Sequence, residues 1–226
     1  MGLTCLLASL TLLLAFGSGL PCLAQANQPP TVKLVDPSEA ASLPTGRAIS
    51  YAIEVEDPED GYSIYDEIPA SEIFLEVGIA PSEAAAREML KAEPPPGLAL
   101  IKANDCLSCH QVRSRHMGPS FLEVAERRRG DIRTMVHSIK QGSRGQWGDV
   151  AVMPPHPTLT DEEVRAMADW IAGLPAHHFM DLLPGTSGIL RVDPAFSGQY
   201  LWIRASYVDH GSPAKQGSAS SIFHLK

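Results

Sequence analysis

Cysteine is scarce in this chain, which has four cysteines among 226 residues. Cys5 and Cys22 stand in the apolar N-terminal segment, so the rest of the chain holds only Cys106 and Cys109. A structural zinc site needs four ligands, usually with a second close pair of cysteine or histidine. No second cysteine pair is available, although a mixed site remains open through other residues. The candidate histidines are His137, His156, His177 and His178.

Long hydrophobic runs are lacking after the first 26 residues. Leu6–Phe16 is apolar but too short to span a bilayer comfortably, and Ala24–Ala26 is a small-x-small cleavage site. We therefore expect a signal peptide over residues 1–26, a periplasmic or secreted mature protein starting at Asn27, and no transmembrane segment. The segment lacks the usual basic residues near its start. A lipidated Cys22 is the alternative, although the residues before it make a poor lipoprotein signal.

Basic side chains are outnumbered, since 18 Lys and Arg face 26 Asp and Glu for a net charge of −8. The excess lies in residues 27–96, which carry 14 acidic and 4 basic side chains. Residues 97–177 carry 9 acidic and 10 basic side chains, and residues 178–226 carry 3 and 4. Nucleic-acid binding favours a basic footprint, so we expect no nucleic-acid partner. The uneven charge indicates separate modules.

The most informative residues that are present are Cys106–His110, which form Cys-x-x-Cys-His. This pattern is the attachment signature of c-type haem: two thiols bond to the porphyrin and the adjacent histidine becomes the proximal iron ligand. A bare Cys-x-x-Cys also occurs in redox dithiols and zinc sites. The histidine and the expected export favour one covalently attached haem c.

The segment from Gly97 to about His177 has a helical period. Two Ser/Thr-x-x-Glu capping boxes, at Ser120–Glu123 and Thr160–Glu163, each precede an apolar pattern typical of a helix. Gly173 and Pro175 should end the last helix. Before this segment, the prolines of residues 94–97 predict a stiff extended linker.

Both flanking segments, residues 27–93 and 183–226, alternate polar and apolar side chains as strands do. A short helix is expected from Pro81–Ser82 to Lys91, and Asp57–Gly61 has the composition of a turn. Calcium binding at Asp57, Glu59 and Asp60 is the alternative there. The predicted strands are Thr31–Val35, Ala48–Val55, Glu72–Ile79, Gly188–Val192, Gln199–Val208 and, as an edge strand, Ile222–Leu225.

The six strands approach the seven of an immunoglobulin-like sandwich. Ser197–Tyr200 resembles the start of the penultimate strand of such folds, and the segments at Asn27 and Asp57–Gly61 resemble extracellular immunoglobulin-like modules. We expect an α+β multidomain protein in which an all-α domain is inserted into one discontinuous immunoglobulin-like antiparallel β-sandwich. Two unrelated β appendages are the rival, but each would have exposed edges and a thin core.

The middle segment resembles the class I cytochrome c family, in its small bacterial monohaem form, from Gly97 to Ala176. Beyond the haem motif, Gly118–Pro119 and the loop Gly145–Pro155 match the family. The resemblance implies that Cys106 and Cys109 bond the haem and that His110 is the proximal ligand. It implies three further roles, at Pro119, Trp147 and Met153. The Pro119 carbonyl would accept from the proximal histidine, the Trp147 indole would donate near a haem propionate, and Met153 would be the sixth ligand.

A methionine thioether suits iron in both oxidation states and raises the reduction potential. Met135 and Met167 fall on apolar helix faces and are expected in the core, and Met117 stands ahead of Gly-Pro. Histidines remain the alternative distal ligands: His116, His137 and His156. Arginines make the segment locally basic, as partners for haem propionates or an acidic protein or as a solvated helix face. They are Arg113, Arg115, Arg127, Arg128, Arg129, Arg133 and Arg144.

These observations predict an exported electron carrier that is not an enzyme. Similar β modules accompany cytochrome domains on exported dehydrogenases, so the expected partner is a dehydrogenase or a terminal oxidase, by analogy. A haem enzyme or gas sensor with a labile sixth ligand is one alternative. A carbohydrate- or surface-binding β module that carries a haem domain is another.

Overall fold

The computed structural model describes residues 26–38, 42–148, 152–174 and 179–226, with the backbone alone at positions 179 and 180. The expected signal peptide and lipidation site lie outside the described residues, apart from Ala26, and so does the pair His177–His178. No helix in the described ranges has the length and apolar character needed to cross a bilayer.

The chain forms strands, then helices, then strands. The helices are α1 (Glu83–Lys91), α2 (Pro96–Ala103), α3 (Phe121–Arg127), α4 (Ile132–Gln141) and α5 (Asp161–Gly173). The strands before the helical segment are β1 (Thr31–Asp36), β2 (Ser42–Leu43), β3 (Ala48–Asp57), β4 (Gly61–Tyr62) and β5 (Phe74–Ala80). Two short strands lie among the helices, β6 (Ser143–Arg144) and β7 (Val152–Met153). The strands after it are β8 (Phe179–Pro184), β9 (Ser187–Arg191), β10 (Tyr200–Val208) and β11 (Gln216–Leu225).

Two sheets combine strands from both ends of the chain. In the first, β3 pairs with β1, β4 and β9, and in the second the order is β2-β11-β10-β5-β8. The pairs are antiparallel except for the short parallel pair of β2 with β11. Since β5 is hydrogen-bonded to both β8 and β10, the second sheet cannot form without the C-terminal strands.

The two sheets share one apolar core. The period-two pattern of β3 buries Ile49, Tyr51, Ile53 and Val55 on a single face, as the alternation predicts. These side chains join residues of β5, β10 and β11 in the same cluster. On the opposite face of β10, Trp202 packs with α1, which explains why both faces of this strand are apolar.

The structure corrects three local expectations. Pro96 and Gly97 form the first turn of α2 rather than an extended linker; a proline there sacrifices no helical hydrogen bond, because the first N–H groups of a helix have no partner within it. The last strand is longer than Ile222–Leu225, and its end pairs with β2 rather than lying at an edge. Strand β8 was not predicted, because Phe179–Pro184 lacks a clear alternation.

The helices form a second core that extends onto the sheets. Both predicted capping boxes are present at the starts of α3 and α5. The buried face of α5 packs with α2, α3 and α4. Phe74 of β5 and Leu182 of β8 belong to this helical core, so the edge of the five-stranded sheet contacts the helices directly.

Candidate functional site

The motif Cys106–His110 follows α2 as a tight turn. The backbone N–H groups of Cys109 and His110 both donate to the Cys106 carbonyl, at 3.2 and 2.9 Å. Gly118 then donates to the Cys109 carbonyl at 2.8 Å, which closes the loop that follows. The turn brings two free thiols and the histidine to the wall of one cavity.

This cavity has a volume of about 570 Å³ and is lined mainly by apolar side chains. Its volume is within the range of roughly 300–1,000 Å³ that holds small molecules and cofactors in proteins. Helices α2, α3, α4 and α5 all contribute to the wall. The lining includes every residue that the sequence analysis assigned to the site: Cys106, Cys109, His110, Pro119, Trp147 and Met153.

The His110 ring is held in one tautomer. Its Nδ1 donates to the Pro119 carbonyl at 2.7 Å, and since a carbonyl can only accept, the lone pair is on Nε2. Phe121 stacks against the ring with the centroids 5.2 Å apart. Burial lowers the pKa of His110 although the bond to Pro119 opposes this shift, so the ring favours the neutral form that a metal ligand requires.

Gly118 makes this placement of the histidine possible. A Cβ atom at this position would lie 2.6 Å from Cε1 of His110, which is closer than any side chain tolerates. The Gly-Pro pair therefore has two physical roles: the glycine admits the ring and the proline carbonyl orients it.

Met153 is presented to the cavity by a small hairpin. Strand β7 pairs with β6 so that Met153 lies opposite Ser143. Gly142, between α4 and the hairpin, has φ +76°, and a Cβ there would lie 2.5 Å from the Met153 carbonyl. The sequence analysis missed Gly142, although a glycine just after a helical pattern is the usual signal for a helix end.

The other distal candidates are placed differently. His116 and His156 also line the cavity, whereas His137 does not. Two contacts hold His156 in place. Its backbone N–H donates to the Ile139 carbonyl at 3.0 Å, and its ring Nε2 lies 3.3 Å from Asp105 Oδ1.

The three other methionines near the cavity also differ in their surroundings. Met135 and Met167 belong to the helical core, as expected, and also contact the cavity. Met117 is 68% exposed at its rim.

Positive charge reaches the cavity at one place. The Arg127 guanidinium stacks over the Trp147 ring at 4.5 Å, and Arg128 donates to the Gln146 side chain. Among the described residues that line the cavity, Arg128 is the only lysine or arginine. The sequence analysis named both arginines, but it could not separate the one at the cavity from the exposed Arg129.

Cys106 lacks the electrostatics of a reactive thiol. Burial, with a smaller effect from Asp105, raises the pKa of Cys106 to about 11. Redox-active cysteines instead have a lowered pKa, because the thiolate is the nucleophile. Within the described ranges, no group of three or more His, Cys, Asp or Glu has the arrangement of a metal site. At the expected turn, Asp57 Oδ1 accepts hydrogen bonds from the N–H groups of Glu59 and Asp60.

Comparison with known proteins identifies the helical segment. The sequence model of the family described as "Cytochrome c" matches residues 96–175. Cytochrome c-551 of Stutzerimonas stutzeri is 40% identical over 81 residues, which cover 34% of this chain and 76% of that protein. Cytochrome c-552 of Nitrosomonas europaea is 38% identical over 78 residues, covering 33% of this chain and 75% of that protein. The chain belongs to the cytochrome c family.

The crystal structure of wild-type Nitrosomonas europaea cytochrome c552 is 35% identical, covers 34% of this chain and 98% of that one, and has a TM-score of 0.33. Residues 1–95 and 176–226 lie outside the family match, and they hold all the strands of the four- and five-stranded sheets.

Cytochromes c hold one haem c covalently through Cys-x-x-Cys-His, and the residues present fit this group. The two thiols are free and correctly spaced, and they line an apolar cavity together with a neutral imidazole. A metal-bound imidazole usually donates its other ring N–H to a carbonyl or carboxylate, as His110 Nδ1 does to the Pro119 carbonyl. Arg128 carries a positive charge at the cavity wall, where it would suit a carboxylate of a bound haem.

Proposed function

We propose that this protein is an exported monohaem cytochrome c that passes single electrons between redox proteins. The observation that carries the proposal is the pairing of two features on one cavity. His110 is oriented by Pro119, and the Met153 segment is held by the β6–β7 hairpin. When bound, haem c supplies an iron that alternates between the ferrous and ferric states.

The proposed residue roles follow from the chemistry of each side chain. Cys106 and Cys109 anchor the haem, and His110 ligates through Nε2 because Nδ1 is engaged by Pro119. Met153 ligates through its thioether, a soft donor that favours the ferrous state and raises the potential. Trp147 directs its indole N–H to a haem propionate.

Low reorganisation supports electron transfer over catalysis. Gly142, β6 and the prolines after Met153 hold the distal segment, so the proposed ligand changes position little when the charge of the iron changes. The cavity wall is largely apolar, so it would offer water few hydrogen-bond partners beside a bound haem. With Met153 as the sixth ligand, the iron would have no open position for a substrate.

We further propose that residues 27–93 and 183–226 form one discontinuous immunoglobulin-like sandwich and that residues 97–177 form the inserted cytochrome c domain. The pairing of β5 with β8 and β10, and of β3 with β9, supports this arrangement. The shared core of the two sheets supports it as well. In this proposal the sandwich docks an exported dehydrogenase or terminal oxidase, after signal cleavage near Ala26.

Replacing Met153 tests the function. We expect the holoprotein to show low-spin visible spectra that carbon monoxide does not change. The Met153→Ala variant should bind the gas and have a lower reduction potential, because the iron loses a thioether ligand. Spectra and potentiometry of both proteins measure this, and Met117→Ala, an exposed methionine at the rim, is the matched control.

Two results would contradict the proposal. An unchanged spectrum in Met153→Ala would mean that another side chain, such as His156, is the sixth ligand. A large response of the unaltered protein to carbon monoxide would indicate an open iron and favour a sensor or enzyme.

A further inference from the structure

Glu76 is one of the two most deeply buried acidic residues that the structure describes, the other being Asp57. Glu76 lies on β5, is 1% exposed and takes no part in the haem cavity. Its Oε2 accepts hydrogen bonds from Nε and Nη2 of Arg204, on the neighbouring strand β10, at 3.2 and 2.5 Å. Its Oε1 accepts from Nζ of Lys102 at 2.9 Å.

Lys102 reaches Glu76 from the helical side. It belongs to α2 and is 10% exposed, and its Nζ also donates to Ser206 Oγ of β10 at 2.7 Å. The same ammonium lies 5.2 Å from the centre of the Phe74 ring. The lysine ammonium therefore lies over the face of the β5–β10 pair, where a carboxylate, a hydroxyl and an aromatic face all suit a cation.

Helix α2 connects this buried bridge to the haem cavity. Ile101, the residue before Lys102, lines the cavity, and Cys106 follows within one turn. Glu76 and Arg204 both lie on the sheet, and Arg204 also donates to the Ala92 carbonyl at the end of α1, at 3.3 Å. Lys102 is the member of the triad that belongs to α2, beside the haem cavity. Withdrawing it would leave a buried carboxylate short of one partner, which is costly in a site that water does not reach.

We propose that Lys102 is a positioning residue that, through Glu76, holds the haem cavity in one orientation on the five-stranded sheet. Any protein that docks on the sheets then meets the haem edge at a fixed angle and distance. The haem serves here only as the reporter of this orientation. The proposal goes beyond the electron transfer proposed above.

The experiment uses the holoprotein and the Lys102→Met variant, which keeps the length of the side chain and removes its charge. Ferric low-spin haem is paramagnetic and the ferrous form is not, so the difference in amide shifts between the two states reports orientation relative to the iron. In the unaltered protein, one magnetic tensor should fit the amides of both the helices and strands β10 and β11. In Lys102→Met the strand shifts should fall by about half or more as orientations average, while the helix shifts stay.

Two variants sharpen the test. Lys91→Met removes an exposed lysine that pairs with Glu88 on α1, and it should leave every shift in place. Lys102→Arg keeps the charge and should retain the strand shifts. Unchanged strand shifts in Lys102→Met, or strand shifts near zero in the unaltered protein, would overturn the proposal. A normal Met-ligated spectrum in every variant separates this result from a failure of the proposed function.

Discussion

At the scale of single residues, charge at the cavity wall distinguishes Arg128 from its neighbours. Arg127 is the last residue of α3 and Arg128 and Arg129 follow it, but of the three only Arg128 lines the cavity. Arg127 stacks on Trp147 and Arg129 is exposed. A cation beside a largely apolar cavity acts through a low local dielectric, so its effect on a bound redox group exceeds that of a solvated cation.

We predict that Arg128→Gln lowers the reduction potential by tens of millivolts, on the order expected for losing one nearby charge, because the ferric state is then less disfavoured. Arg129→Gln removes the same charge from solvent and should change the potential much less. Potentiometry at low ionic strength compares the two variants. Equal shifts in the reduction potential would mean that Arg128 acts on the haem no more strongly than an exposed arginine does.

At the scale of elements, the start of α3 ties helix capping to the haem ligand. Ser120 caps the helix because its hydroxyl accepts from the Glu123 N–H at 3.1 Å. In return, the Glu123 carboxylate accepts from the Ser120 backbone N–H at 2.8 Å. Ser120 directly follows Pro119, whose carbonyl holds His110. Hydrogen bonds from Arg115 and from the Ser120 N–H lower the pKa of Glu123. The stabilisation by Glu123 is therefore present above its unfolded pKa and is lost as pH falls through the lowered value.

We predict that Ser120→Ala destabilises the protein by about 1 kcal/mol, the usual cost of an N-cap serine. It should also perturb the haem spectrum, since the Pro119 carbonyl is less well held. Ser82→Ala removes the equivalent cap from α1, far along the chain from the motif, and should cost a similar amount without a spectral change. Urea titrations followed by haem absorbance and by circular dichroism measure both effects. An unchanged haem spectrum in Ser120→Ala would mean that the helix cap does not affect the position of His110.

At the scale of the whole molecule, Asp181 of β8 lies where the sheet meets the helical segment. Burial raises the pKa of Asp181 to about 6, while the Leu182 N–H and the charge of Arg113 oppose the shift. The folded carboxyl therefore keeps its proton up to about pH 6, whereas the unfolded one releases it near 4. Between these values the folded state binds more protons, so the contribution of Asp181 to stability falls as pH rises from about 4 to about 6.

We predict that Asp181→Asn is more stable than the unaltered protein by about 3 kcal/mol at pH 7.5 and differs little at pH 4. The amide keeps an oxygen that accepts from Leu182 N–H and carries no charge to desolvate. Urea midpoints at both pH values give the comparison. Asp169→Asn, which removes an exposed carboxylate from α5, is the control. A gain of equal size at both pH values would mean that packing, not ionisation, sets the cost.

The accuracy of the sequence-based predictions depended on how local the physics is. The alternation of β3, the two capping boxes and the helical period of α4 and α5 were confirmed, because each pattern spans a few neighbouring residues. The predictions of an extended linker at Pro96–Gly97 and of a short last strand were wrong. The start of α2 packs closely against Ala166 and Trp170 of α5, and pairing with β10 extends β11. Strand β8 has little pattern of its own and exists through its pairing with β5.

The sequence by itself determined the haem attachment, since Cys-x-x-Cys-His is contiguous and its chemistry needs no distant residue. It also identified Gly118–Pro119 and the Met153 loop through the family resemblance. Only the tertiary structure decided which arginine borders the cavity, why Gly142 precedes the Met153 hairpin, and that Lys102 reaches a buried Glu76. The physical reason is distance along the chain: burial and charge pairing join residues such as Glu76 and Arg204, which no local pattern connects.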